Sequence, residues 1–278
     1  ECEICCLTLP IDESQWFRQA CCGKAICHGC IHQVNVNDKK NVCPCPFCRA
    51  PACDTTEFRE MVERLKKRME AGDGYAFRLL GNAYEKGWYG LKKDMKKALE
   101  LWTEGAELGS ASGHLALGSA YFRGSGVKQD DDKAKYHLGI AAMGGDVHAR
   151  CMLGRIESDH AFPAATKEAG IYNKAGVDRA VAHWMIAAKA GSDKSLGMLK
   201  TYYSAGLKDS VSKKDFEVAL RAHKDATDAM KSEERKIALE WAPLQKMGWE
   251  ACGGGGGKGK GPMVAIKPGS FRPFAYKK

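Results

Sequence analysis

Apolar residues recur every three to four positions across residues 56–70, at Phe58, Val62, Leu65 and Met69, within an otherwise strongly charged stretch. That spacing lays one apolar stripe along a helix. It predicts a helical connector over residues 54–72 and leaves open whether the connector is solvated or docked. Beyond it the pattern repeats. Leu80-Gly81-Asn-Ala83-Tyr84, Leu117-Gly118-Ser-Ala120-Tyr121 and Leu153-Gly154-Arg-Ile156 follow at intervals of 37 and 36 residues. A second frame runs alongside: Ala98, Ala134 and Ala180, then Trp102, Leu138 and Trp184, then Ala106, Ala142 and Ala188, then Gly109, Gly145 and Gly191. Its intervals are 36 and 46, and the extra ten residues fit within 159–177. A weaker fourth unit holds Leu199, Tyr202, Val218, Ala222 and Ala226.

A period near 36 residues with two helical signatures predicts an all-α solenoid of helix-turn-helix units over residues 73–230. The small residues, with glycine at each junction, are expected to let neighbouring helices approach. Trp102, Leu138 and Trp184 would then fill the space between units. Gly87, Gly90, Gly124 and Gly126 fall between the two helices of a unit. Asp94 and Asp130 precede second helices and are candidate N-caps or first-turn acids. The pattern Leu-Gly-x2-Tyr-x2-Gly, then Lys-Ala-x3-Trp, then Ala-x2-Gly resembles Sel-one-like repeats, relatives of tetratricopeptide repeats. The resemblance covers residues 76–230, with two good units, one interrupted and one degenerate. It implies a superhelix that binds a partner protein, here a substrate or adaptor.

The two ends of the chain differ in composition from its middle. At 278 residues, with 44% hydrophobic and 28% charged residues, the chain is long enough for about two domains. No stretch approaches the roughly 18 apolar residues of a membrane span, and no membrane partner is expected. No signal peptide opens the chain and residue 1 is not Met, so Glu1 is read as the edge of a fragment. The net charge of +9 is uneven: residues 231–278 carry ten Lys/Arg against four Asp/Glu. The basic balance belongs to a tail and does not indicate a nucleic-acid-binding fold. Residues 231–252 read as a partly helical extension, and residues 253–278, with Gly253–Gly257, as a disordered basic tail. Phe271, Phe274 and Tyr276 among its lysines could hold single strands weakly. A solvated tail is the expectation, and nucleic acid is not an expected partner. No strand precedes Gly253–Gly257 and no helix follows, so it is no phosphate cradle. Asp130–Asp132 reads as a helix start and solvated charge run.

Eleven of the 13 cysteines lie in residues 1–53. A disulfide-stapled secreted chain would not leave its remaining 225 residues with two, so metal in a reducing, intracellular compartment, cytoplasmic or nuclear, is the reading. Eight form close pairs, Cys2/Cys5, Cys21/Cys22, Cys27/Cys30 and Cys45/Cys48, enough for two tetrahedral Zn2+ sites. Gaps of 15 residues between Cys5 and Cys21 and 14 between Cys30 and Cys45 resemble a RING finger. The resemblance implies a small zinc-bound α+β fold with interleaved pairs: Cys2, Cys5, Cys27 and Cys30 on one ion, and Cys21, Cys22, Cys45 and Cys48 on the other. Metal would supply most of the folding energy of so small a head, roughly 10–16 kcal/mol per structural site. One departure is Lys24, which stands where most RING fingers place a ligating histidine. Cys21 is the expected replacement, with Cys43 or Cys6 as alternatives because adjacent cysteines are awkward on one ion. His28 and His32 are expected to pack or face solvent, and Trp16 and Phe17 to pack beneath the zinc sites.

The resemblance also implies a partner, a ubiquitin-conjugating enzyme. Ile4 and Pro46 match residues of that family's contact surface, Ile31 adds to it, and Arg49 matches the linchpin arginine that bridges the enzyme and its ubiquitin. Guanidinium suits that task because it offers several donors in a rigid fork. Catalysis would be by positioning, with no covalent intermediate on this chain. The alternative is a zinc-stabilised scaffold without ligase activity. No conventional hydrolase or transferase site is visible.

Overall fold

The structure, a computed structural model, describes residues 1–37, 44–51, 58–162 and 172–245, with Phe58 and residues 241–245 described by backbone alone. Cys43, residues 253–278 with the expected disordered tail, and parts of the connector and the insertion lie outside the described residues.

The head is built on a hairpin. A one-turn helix, Glu13–Gln15, starts on Asp12, whose carboxylate accepts from the Ser14 amide. It leads into β1 (Trp16–Arg18), which pairs antiparallel with β2 (Ala25–Cys27) in the register Trp16 opposite Cys27. α1 (His28–Asn37) continues from β2 without a break. Ile26, Cys27, Cys30 and Ile31 form a small core with Cys2, and Trp16, Phe17 and Phe47 pack against it.

Beyond the head the described residues are built into helices. α2 (Phe58–Glu70) is docked: Val62 and Leu65 are buried with Ala76, Phe77, Leu80 and Leu101. Four antiparallel pairs follow: α3 (Gly74–Lys86) with α4 (Met95–Glu107), α5 (Ala111–Arg123) with α6 (Asp131–Met143), α7 (Val147–Ala161) with α8 (Lys174–Lys189), and α9 (Asp193–Ser204) with α10 (Lys213–Ala229). Asp73, Asp94, Asp130, Asp146, Asn173, Ser192 and Ser212 each accept a backbone amide of the turn they precede. Each such cap is worth about 1 kcal/mol. α7 keeps Asp159–Ala161 and α8 begins at Lys174, so the inserted residues fall between 162 and 173.

Trp102, Leu138 and Trp184 are almost wholly buried, and they fill space on two sides. Trp102 packs with Leu117 and Ala120 of the next unit, and Trp184 with Leu199 and Tyr202. Each also occupies ground vacated by a glycine of its own unit. A Cβ on Gly81, Gly118 or Gly154 would lie 2.3 Å from Trp102 Nε1, 2.7 Å from Leu138 Cγ or 2.4 Å from Trp184 Nε1. The close approach expected at Gly109 and Gly145 is therefore misplaced. Those glycines face open space and are there for a turn, at φ 76° and 86°.

α11 (Glu233–Gln245) does not extend the solenoid. It returns to the head and packs along α1. The head is thus held from both ends of the helical array. From the first repeat, the Arg78 guanidinium lies 3.5 Å from Glu13, and Arg18 and Arg78 both stack on Tyr75, at 4.7 and 4.6 Å. Ile11 reaches the α8–α9 turn at Gly191, which also meets Met230.

Candidate metal centres

Two of the four cysteine pairs are tight turns of the same design. The Cys2 amide donates to Leu7 O at 2.9 Å and the Cys6 amide to Cys2 O at 2.9 Å. The Cys45 amide donates to Ala50 O at 2.8 Å and the Arg49 amide to Cys45 O at 3.0 Å. The residue after each second cysteine, Cys6 or Arg49, is left-handed, at φ 57° and 60°. Such a turn points both thiols of a C-x2-C pair the same way. The third pair lies where β2 runs into α1, with Cys27 closing the strand and Cys30 in the first helical turn. The vicinal pair Cys21-Cys22 sits in the β1–β2 loop, closed by Gln19 and Lys24 with Gly23 at φ 74°.

These elements gather the sulfurs into two groups of four. Within each group the ligand atoms all lie within 4.8 Å: Cys2, Cys5, Cys27 and Cys30 in one, Cys21, Cys22, Cys45 and Cys48 in the other. Cys5 and Cys27 sulfurs are 3.9 Å apart, Cys22 and Cys45 3.7 Å, and Cys21 and Cys48 3.4 Å. A tetrahedron with zinc–sulfur bonds of about 2.3 Å has sulfur–sulfur edges of about 3.8 Å. The donor set and its spacing therefore fit a structural Zn2+ at each centre, with first and third pairs together and second and fourth together. The Cys27 amide, 3.4 Å from Cys2 Sγ, adds a donor to the first group.

The two centres differ in exposure. In the first, Cys2, Cys27 and Cys30 are buried; in the second only Cys45 is, and Cys48 is open to solvent. A hydrogen bond from Cys30 pulls the Cys27 thiol down to about 4, and the same bond with burial pushes Cys30 up. Burial, reinforced by neighbouring sulfurs, pushes Cys21 up, and burial pushes Cys22 up as well. The Ala50 amide lowers Cys48 to about 7.

The remaining head residues sort by exposure. Cys6 is exposed and outside both groups, since its left-handed position turns it away; as an alternative ligand it is set aside. His28 and His32 belong to neither group, and burial lowers both imidazoles. Lys24 spans the two similar turns, its ammonium 3.7 Å from Glu3 and 5.3 Å from the Phe47 ring. Ile4 is 40% exposed, Pro46 half-buried and Arg49 exposed. Ile31 is 8% exposed and packs inward with Ile26 and Cys30, which corrects the expectation that it adds to an outer surface.

Two arginines at the head carry no signal in the sequence. Arg68, from the end of α2, donates to Gln19 O at 3.3 Å and lies against Gly23 beside the vicinal cysteines. Arg235, from α11, donates to Thr8 O at 2.7 Å and Leu7 O at 3.4 Å, and lies 3.7 Å from Cys5 Sγ. Partners 227 to 230 residues away have no local periodicity to reveal them.

The Sel1 repeat family model matches residues 76–110 and 111–146. These are the α3–α4 and α5–α6 pairs. No RING family model matches the head. No curated protein is similar to the chain. Among solved structures, the crystal structure of a Sel1 repeat protein from Oxalobacter formigenes is 22% identical with a TM-score of 0.47, over 60% of this chain and 64% of that one. The crystal structure of c5321, a protective antigen present in uropathogenic Escherichia coli strains displaying an SLR fold, is 20% identical with a TM-score of 0.35, over 67% of this chain and 49% of that one. The chain thus spans less than two thirds of either. Among the described residues no helix is long and apolar enough to cross a membrane.

Proposed function

We propose that the chain is a RING-type ubiquitin ligase whose Sel1 repeats carry a substrate or adaptor protein. The carrying observation is the interleaving of the two four-cysteine groups, with Ile4 and Arg49 presented on the two matching turns that Lys24 bridges. Cys2, Cys5, Cys27 and Cys30 would hold one Zn2+ and Cys21, Cys22, Cys45 and Cys48 the other. The ions supply rigidity, since a head with so small a core cannot fix two turns by packing alone. Ile4 and Pro46 would seat a ubiquitin-conjugating enzyme. Arg49 would hold its ubiquitin so that a substrate amine attacks the thioester, forming the isopeptide and releasing the enzyme's thiol. No covalent intermediate forms on this chain in that transfer, and the gain comes from orientation.

A scaffold without ligase activity is the second reading. The burial of Ile31 and the packing of α11 along α1 favour it, because both withdraw helix surface from a docking enzyme. An autoubiquitination panel on the zinc-replete chain separates the two. Ligase activity predicts transfer with at least one conjugating enzyme, reduced in Ile4→Ala. No transfer with any enzyme, together with no Ile4-dependent binding, leaves the scaffold.

A further inference from the structure

Arg235 is 6% exposed and its Nε, also buried, has no hydrogen-bond partner. Its other nitrogens donate to the carbonyls of Leu7, Thr8 and Met230. Leu7 O is the same carbonyl that closes the first cysteine turn by accepting the Cys2 amide. Among the described residues no carboxylate pairs with Arg235, whereas Arg68, buried to the same degree, has Asp73 at 2.9 Å from its Nε. A buried guanidinium without a counter-charge is costly, by several kcal/mol. The acceptor that can supply charge here is sulfur, with Cys5 Sγ at 3.7 Å from Nη2. Four thiolates on a divalent ion carry a net charge of about −2.

The backbone supports the same placement independently. A Cβ on Gly29 would lie 2.8 Å from the Arg235 amide nitrogen and 2.9 Å from the Glu234 carbonyl carbon. The first turn of α11 therefore rests directly on the first turn of α1, between Cys27 and Cys30, and only glycine leaves room for it.

We propose that Arg235 is the counter-charge to the Cys2/Cys5/Cys27/Cys30 metal centre, and that occupancy of this centre holds the C-terminal helix on the head. The proposal rests on that centre holding Zn2+ as a thiolate set. It couples metal content to the exposure of α11 and of the α1 surface beneath it. A chain that loses the first ion would release the segment that closes the molecule on itself.

The test uses the full chain reconstituted with Zn2+, with metal stoichiometry, competition against a chromophoric chelator and amide exchange as readouts. The wild type is expected to bind two ions, and stripping them should raise exchange across residues 233–240. In Arg235→Met one of the two ions should be lost about tenfold more readily. With both centres saturated, residues 233–240 should already exchange fast while residues 28–37 stay protected. Arg235→Lys should fall between, and Lys236→Met on the exposed side of α11 should match the wild type. A wild-type chain that binds no thiophilic metal overturns the metal reading and this proposal together. Two ions in the wild type, with unchanged retention in Arg235→Met or unchanged protection of 233–240 after stripping, overturns this proposal alone. If Arg235→Met does not fold, the wild-type exchange experiment and Arg235→Lys decide.

Discussion

Trp102 stands over Gly81 so closely that a single added carbon would come within 2.3 Å of the indole nitrogen. The indole donates to Arg78 O at 3.4 Å, three residues before that glycine, and Trp184 donates to Cys151 O at 3.3 Å, three before Gly154. The repeat thus rests on a missing side chain as much as on a large one. Gly81→Ala should lower stability by about 1 kcal/mol net, since overpacking typically costs about 1–3 kcal/mol against a helix-propensity gain of about 1. Gly139→Ala, in α6 with nothing within 4 Å of its added carbon, should instead raise stability by about 0.5–1 kcal/mol. Denaturant melts of both variants check the sign.

The second cysteine group should be the weaker metal holder, because Cys48 is exposed and Cys21 and Cys22 are only half-buried. Cys21→Ser should reduce bound zinc from two ions to about one, whereas Cys6→Ser should retain both. Elemental analysis of the purified variants, together with the order of release to a chelator, reads this directly.

Ile4 and Arg49 should separate binding from transfer. Ile4→Ala should weaken association with a conjugating enzyme by about fivefold, since burying the exposed 40% of the isoleucine on docking is worth roughly 1 kcal/mol. Arg49→Gly should leave association intact and slow ubiquitin discharge. Glycine accepts the φ of 60° more readily than arginine does, so a loss there cannot come from a damaged turn. Titration and single-turnover discharge measure the two effects.

Glu157 is buried between Lys135, at 2.8 Å, and Arg179, at 2.7 Å. Burial alone would raise its carboxyl, but the two cations outweigh it and hold the group below the usual range. A lowered pKa stabilises the fold above the ordinary carboxylate range, and that contribution is lost as pH falls through the folded value. Glu157→Gln should therefore cost roughly 2 kcal/mol near neutrality, less than a fully buried pair because Arg179 is 56% exposed. The gap to the wild type should close in acid. Denaturant melts of both chains, compared from neutral pH down to about pH 2, where the carboxylate is protonated in both states, test this.

The helical repeats and the pairing of cysteines into close couples were legible along the chain. Both are local: an apolar stripe every three to four residues needs only helix geometry, and C-x2-C needs only a turn. Asp94 and Asp130 were readable as caps for the same reason, since their partners lie three residues on. The other features needed the folded chain. It brought sulfurs more than 20 residues apart into the two groups that the RING resemblance implies and local spacing does not, withdrew Ile31 into the core, and showed that Gly81, not Gly109, is where helices close up. It brought Arg235 to the first cysteine turn across 227 residues. Such contacts leave no periodic trace, because they depend on the summed path of every helix between them.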